Sequence, residues 1–172
     1  MTNQQQCQDF WQARRSIILS TMNLEGVSET SVTPFIANDE GCLYVFISEL
    51  AQHTKNILSL LNALSDDSNQ SDCQRISGLI MADESENEQA FARERLTLQL
   101  LPSEIVRESE MFSMLMTRFE QTFGEVIPLL VSLPDFHLIQ LKVIKGGYVK
   151  GFGQAFTFEG CPCHNLEPVR RA

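Results

Sequence analysis

The chain has 172 residues, 43% of them hydrophobic and 20% charged, with 22 acidic against 13 basic side chains and a formal net charge of −9. That length supports one domain with its own core, and the composition is that of an ordinary globular protein. The acidic balance excludes nucleic acid as a default partner, because phosphate binding relies on clustered Lys and Arg, so any anionic ligand must find a locally basic pocket.

In chain order, residues 7–15 have mixed polarity and predict a short opening helix. SIILSTM (16–22), TSVTPFI (30–36) and CLYVFIS (42–48) are rich in β-branched and aromatic residues and read as strands. The Gly, Asn and Asp between them mark turns, so three antiparallel strands in a meander are expected. From His53 to Leu64 the apolar residues Ile57, Leu61 and Leu64 fall at helical spacing. SDDSNQSD (65–72) is polar and aperiodic and reads as a surface loop, followed by a strand over 75–83 and an acidic turn, DESENE.

The segment 90–101, AFARERLTLQLL, alternates: Ala92, Leu96, Leu98 and Leu100 take one face, with Glu94 the exception, and Arg93, Arg95, Thr97 and Gln99 the other. After Pro102 an amphipathic helix is predicted over 107–123, with Phe112, Leu115, Met116, Phe119 and Phe123 as its core stripe. DFHLIQLKVI (135–144), a KGG turn and YVKGFGQAFTF (148–158) read as a closing hairpin. The fold class is therefore α+β, built on an antiparallel barrel, with no internal repeat. No apolar run is long enough for a membrane span, and the opening MTNQQQCQDFWQARR is polar where a secretory signal is apolar, so the cytoplasm is the expected compartment. The cysteines Cys7, Cys42, Cys73, Cys161 and Cys163 are odd in number and scattered, a pattern that reads as reduced thiols.

Four stretches could carry chemistry. Arg93 and Arg95, roughly 6–7 Å apart on one strand face, could seat phosphate or carboxylate groups with their forked donors. They could equally be a solvated face paired with Glu84, Glu86, Glu88 and Glu94. HTKN (53–56) opens a helix, where free N–H groups with Thr54 and Lys55 suit a phosphate, although capping alone accounts for Thr54. On the closing strand the small face of Gly151, Gly153 and Ala155 admits another backbone or a flat ring, and tight packing at a subunit interface is the plain explanation. The tail CPCH (161–164) lacks the C-x-x-C-H spacing of covalent haem attachment and offers three ligands where structural zinc takes four. One axial ligand suffices for haem iron, which leaves His164 or Cys161 as candidates, with an incidental tail composition as the alternative. No nucleophilic triad is apparent.

ADESENEQAFARERLTL, LPDFHLIQL and YVKGFGQAF closely resemble segments of the bacterial haem-utilisation (haem-degrading) proteins. These belong to the wider pyridoxamine 5′-phosphate oxidase-like group with the FMN-binding split-barrel fold, and the likeness spans about residues 10 to 160. It implies a six-stranded antiparallel split barrel with flanking helices over 1–160, a C-terminal tail over 161–172, and a homodimer with ligand clefts between subunits. By resemblance to flavin-binding members, Thr33, Pro34 and Phe35 would run along the isoalloxazine, with Ser48, Thr54 and Lys55 by the FMN phosphate. By resemblance to the haem branch, Arg95 would face the distal side of haem and Asp135 would support an axial histidine from the tail. Arg93, Lys150 and Phe152 complete the cofactor-binding set that the resemblance implies.

The tail departs from the family pattern. It ends NLEPVRRA, without the family's Gly-His, so the ligand position falls on Val169 or Arg170, and an arginine has no lone pair for iron. His164 is the one tail histidine and so the candidate ligand. Cys161 with Pro162 is similar to the Cys-Pro pairs of some haem-responsive sites. The resemblance thus implies a haem-iron utilisation protein that binds haem at a dimer interface and degrades it oxidatively with an electron-donating reductase. The alternatives are an FMN flavoprotein of the pyridoxamine-phosphate-oxidase type and a non-catalytic haem-binding or storage protein.

Overall fold

A computed structural model describes residues 1–66, 76–86 and 89–170. Most of the acidic loop, the first residue of the strand expected over 75–83, Cys73, Glu88 and the last two residues lie outside the described residues.

Helix α1 (Asn3–Ala13) starts earlier than expected because the Thr2 hydroxyl accepts from the Gln5 amide, a polar cap that apolar periodicity does not reveal. Its Cys7, Phe10 and Trp11 lie three and four apart and are buried. Strand β1 (Ser16–Met22) buries alternate residues and pairs along its length with β2 (Ser28–Pro34). Phe35 then turns into the core, its amide donating to the Arg15 carbonyl at 3.0 Å. The expected strand over 30–36 is therefore split. The short β3 (Ile36–Ala37) pairs instead with β4 (Cys42–Ser48), and the expected meander is divided between two regions of the sheet.

Strand β4 is hydrophobic from Cys42 to Ile47 because both of its faces are covered there. Leu43, Val45 and Ile47 join a core shared with α1 and α2 (Gln52–Asp66), whereas Cys42, Tyr44 and Phe46 join a second core. That second core lies under α3 (Glu110–Phe123) and α4 (Val126–Val131). Ser109 caps α3, and Phe112, Leu115, Met116 and Phe119 are buried along its predicted stripe.

Strands β5 (Ile76–Met81) and β6 (Arg95–Glu104) complete the first core. Leu96, Leu98 and Leu100 are at most 2% exposed, each worth about 2 kcal/mol of burial. The expected start of β6 at residue 90 is corrected: residues 90–92 form a 3-10 turn, and Arg93 precedes the strand.

The larger correction concerns the closing hairpin. There is no turn at KGG. Strand β7 (Phe136–Gly151) runs through it unbroken for 16 residues, and the turn falls at Phe152 and Gly153, where Gly153 adopts φ +70°. The return strand is β8 (Gln154–Glu159). Gly146 lacks a side chain because of close packing: an added Cβ would run into the Thr97 carbonyl oxygen and meet Phe158 Cζ at 2.6 Å.

The antiparallel sheet runs β2-β1-β5-β6-β7-β4-β3, with β8 and the two-residue β9 (Glu167–Pro168) added beside β7. Among the described residues the sheet has nine strands, two of them only two residues long, and the six of the implied barrel are not singled out. One edge of β7 holds β4 over Phe136–Lys142 and β8 over Lys145–Gly151, while β6 occupies the other edge. This shared edge makes an α+β fold with a curled sheet.

Reduced thiols do not hold throughout. Cys7 and Cys163 form a disulfide between α1 and the tail, across 156 residues of sequence. Spacing could not reveal it, because only folding brings the two ends together. Cys42 and Cys161 are free.

Gly146→Ala is expected to cost about 2 kcal/mol in urea denaturation, since overpacking against backbone has no easy relaxation. Gly151→Ala, which has nothing within 4 Å of the added carbon, should stay within about 0.5 kcal/mol. The double variant Cys7→Ser/Cys163→Ser is expected to unfold about 2–4 kcal/mol more easily in the same assay.

Candidate functional site

The outer faces of β1, β5 and β6 carry the side chains that alternate with the core. Ile18, Ser20, Ser77, Leu79, Thr97 and Gln99, with Thr30 of β2 and Lys145 and Gly146 of β7, line a trough of about 490 Å³ with largely apolar walls. A second cavity of about 600 Å³ shares Lys145 and Gly146 and continues past Thr157 and Phe158 to Asn165 and Glu167 of the tail. Together they form a groove floored by strand backbone, with one cation at its middle and the tail along its far side.

Arg95 opens β6 and is half-buried, and one of its N–H groups donates to the Arg93 carbonyl at 2.9 Å. Arg93 donates Nε to the Ala82 carbonyl at 2.5 Å and pairs with Glu84 at 3.3 Å, as the solvated-face reading has it. Lys150 reaches Asn3 Oδ1 at 3.2 Å, and Phe152 stands exposed at the β7–β8 turn.

The tail is tied down at several points. Beyond the disulfide, Pro162 packs so closely on Gly41 that a Cβ there would meet it at 2.7 Å. Cys161 donates to the Asp39 carbonyl at 3.3 Å, and burial pushes its thiol pKa up. The Val169 amide donates to Ala155 beside β9. His164 Nε2 lies 3.1 Å from Gln8 Nε2 on α1.

Ser48 and Asp135, from elements 87 residues apart, are brought together: the hydroxyl donates to Asp135 Oδ2 at 2.6 Å, and the Asp135 carbonyl accepts from the Glu49 amide. Within one chain Asp135 and His164 share no hydrogen bond among the described residues. Thr33 and Phe35 are buried and Pro34 is exposed. Thr54 is fully buried, its Oγ1 without a partner, while Lys55 on the same helix is exposed. Neighbouring His53 accepts or donates at 2.8 Å with Ser31, and burial lowers its pKa.

Two polar constellations escaped sequence reasoning. His137 sits between Glu104 (Nδ1, 2.6 Å) and Glu49 (Nε2, 2.7 Å), at the ends of three strands. Burial opposes its charge, but hydrogen bonds to both carboxylates outweigh burial and raise its pKa. Tyr148, fully buried, donates to Glu94, and burial with that bond lifts the phenol far above its ordinary range. Only the odd position of Glu94 on an apolar face hinted at the second, and nothing local hinted at the first.

No family model matches the chain. A sequence relative does: the haem oxygenase HutZ of Vibrio cholerae serotype O1 is 35% identical over 152 residues, which span 88% of this chain and 78% of the relative. The chain belongs to the HutZ family. The crystal structure of the Vibrio cholerae HutZ, described as a haem storage protein, superposes with a TM-score of 0.69 at 31% identity, covering 82% of this chain and 89% of that one. ChuZ of Campylobacter jejuni gives 0.78 at 31% identity, covering 96% of this chain but 61% of ChuZ. A pyridoxamine 5′-phosphate oxidase-type protein of Listeria innocua, at 11% identity and a TM-score of 0.57, shares the fold alone, over 87% of this chain and 99% of its own. Set on this HutZ-type frame, the groove lies on the outward face of the sheet and the His137 cluster at the strand ends.

Because the folded pKa of His137 is raised, its contribution to stability is complete below about pH 6.5 and is lost as pH rises through the higher folded value. Glu49 and Glu104 are about half exposed, so the effect is small. Between pH 6 and 9 the protein should lose about 1 kcal/mol more stability than His137→Gln, measured by urea denaturation at each pH. Parallel profiles for the two proteins would remove the charge from His137.

Proposed function

We propose that this protein serves haem-iron utilisation and binds haem in the groove on the outer sheet face, as a homodimer in which that face meets a second copy. In this reading the long strands form the split-barrel core that the resemblance implies. The observation that carries the proposal is the groove itself: its first cavity has largely apolar walls over Gly78 and Gly146, Lys145 stands where the two cavities meet, and the second, lined also by Glu159 and Glu167, leads to the histidine-bearing tail. Kinship with HutZ, a haem oxygenase by description, supports it.

The residues present fit such a group. A flat apolar ring suits a floor where glycines bring backbone close, and propionates need a local cation in a protein of net charge −9. Lys145 lines the groove, and Arg93, just before β6, and Lys150 of β7 add positive charge. His164 can give a lone pair to iron once its ring nitrogen leaves Gln8, with Cys161 as the other tail donor. Asp135 keeps acceptor capacity beyond its bond to Ser48, enough to orient an imidazole N–H, which in a dimer would come from the second copy's tail. Arg95, anchored through the Arg93 carbonyl, has further N–H groups to direct at developing negative charge. Bound haem supplies the redox-active iron and the macrocycle that a reductase and oxygen would open. Flavin is the weaker reading, because the Thr54 hydroxyl assigned to the FMN phosphate is fully buried.

Titrating the purified protein with hemin should give a saturable Soret band. In His164→Ala that band should shift, with affinity about tenfold lower. Arg95→Ala should bind within about threefold of the parent yet lose its Soret band about tenfold more slowly with ascorbate and oxygen. Absence of a saturable band would overturn haem binding, and a stable complex in the parent would leave a storage protein.

A further inference from the structure

We infer that a second site on this chain takes a compact oxyanion, a phosphate or carboxylate group, in the cavity enclosed by the end of α1, the β2–β3 bend and α3. The cavity, about 170 Å³, is lined by Arg14, Arg15, Arg118, Trp11, Phe35 and Thr122, and by Ile36 and Ala37 of β3. Three of the chain's 13 basic residues meet there, and no carboxylate among the described residues lines it. It shares no residue with the groove proposed for haem.

The three guanidiniums differ in what holds them. Arg14 is anchored: its terminal nitrogens bond both Glu86 oxygens, at 2.9 and 2.5 Å, and the group lies 4.7 Å over the Phe10 ring. Asp83 and Glu94 act on Arg14 from farther off, and its Nε is buried without a partner. Arg15 and Arg118 have no carboxylate partner among the described residues. Arg15 donates to the Gln12 and Arg14 carbonyls at 2.7 and 3.0 Å, and Arg118 to the Ala37 carbonyl at 2.6 Å. Each guanidinium has five N–H donors, so both keep several for a ligand.

Two uncompensated guanidiniums in one cavity repel, and a forked oxyanion relieves that repulsion while taking bidentate bonds. The floor is apolar, with the Trp11 and Phe35 rings 6.1 Å apart, so polar recognition comes from the arginines. The volume lies below the ~300–1,000 Å³ usual for drug-sized ligands, which restricts the occupant to a small anion or the head of a larger one.

The chain has one tryptophan, and it lines this cavity, which supplies a direct readout. Trp11 fluorescence of the full-length chain would be followed during titration with inorganic phosphate, with citrate, and with chloride as control, at constant ionic strength. A saturable change with phosphate, citrate or both is expected, with the stronger arm naming the headgroup. Affinity should fall about tenfold in Arg118→Gln and in Arg15→Gln. Arg15 is exposed, so its substitution leaves folding undisturbed, and the thermal midpoint should rise with the bound anion in the parent. No saturable response to either anion, an equal response to chloride, or unchanged affinity in Arg15→Gln would overturn the site.

Discussion

The structure depends on one close approach: the backbone of β6 against β7 at Gly146, where the Thr97 carbonyl fills the space a side chain would need. Because that contact is made, β7 stays extended through KGG instead of turning, and its 16 residues outreach either partner on its far edge. An edge that long takes β4 on one half and β8 on the other. That branch sends α3 and α4 to one core and α1 and α2 to the other. It also leaves the outer faces of β1, β5 and β6 uncovered in the single chain, with the groove lying across them.

Polar groups are distributed on the same frame. Where strands end, long-range pairs gather: Ser48 with Asp135, and His137 between Glu49 and Glu104. Inside, Tyr148 and Glu94 satisfy one another, since a buried phenol or carboxylate left alone would cost several times what a hydrogen bond contributes. The tail is held by a disulfide, a proline packed on Gly41 and a short strand, so His164 has a defined position against α1. Within CPCH, Cys163 is not an incidental tail residue, because it anchors the tail to the first helix.

Much of this was legible beforehand. β1 and β4 have the bounds that their sequence predicts, because strands covered on one or both faces leave a period of two or a continuous apolar run. The α3 stripe of Phe112, Leu115, Met116 and Phe119 is buried as its spacing demanded, and the resemblance reached the family that the comparisons establish. The misses share a cause. KGG has the residues of a turn, and glycine permits either a turn or a tight crossing, so local chemistry could not choose. The strand expected over 30–36 broke at Phe35 because the core accepted that ring, a choice made by tertiary packing. Of the candidate site residues, Ser48 and Asp135 are bonded and Arg93 and Arg95 adjoin, but Thr54 is enclosed and His164 stands by Gln8.

By itself, then, the sequence determined the periodic elements, the fold class and the family, because periodicity and motif are local properties that folding leaves in place. Only the tertiary structure decided which glycines turn the chain and which let strands touch. It also decided that Cys7 meets Cys163, that two glutamates enclose His137, and that two arginines just after α1 and one on α3 face one cavity. Each of those depends on distances between residues far apart in the chain, which are set by how the sheet curls and are written in no short stretch of it.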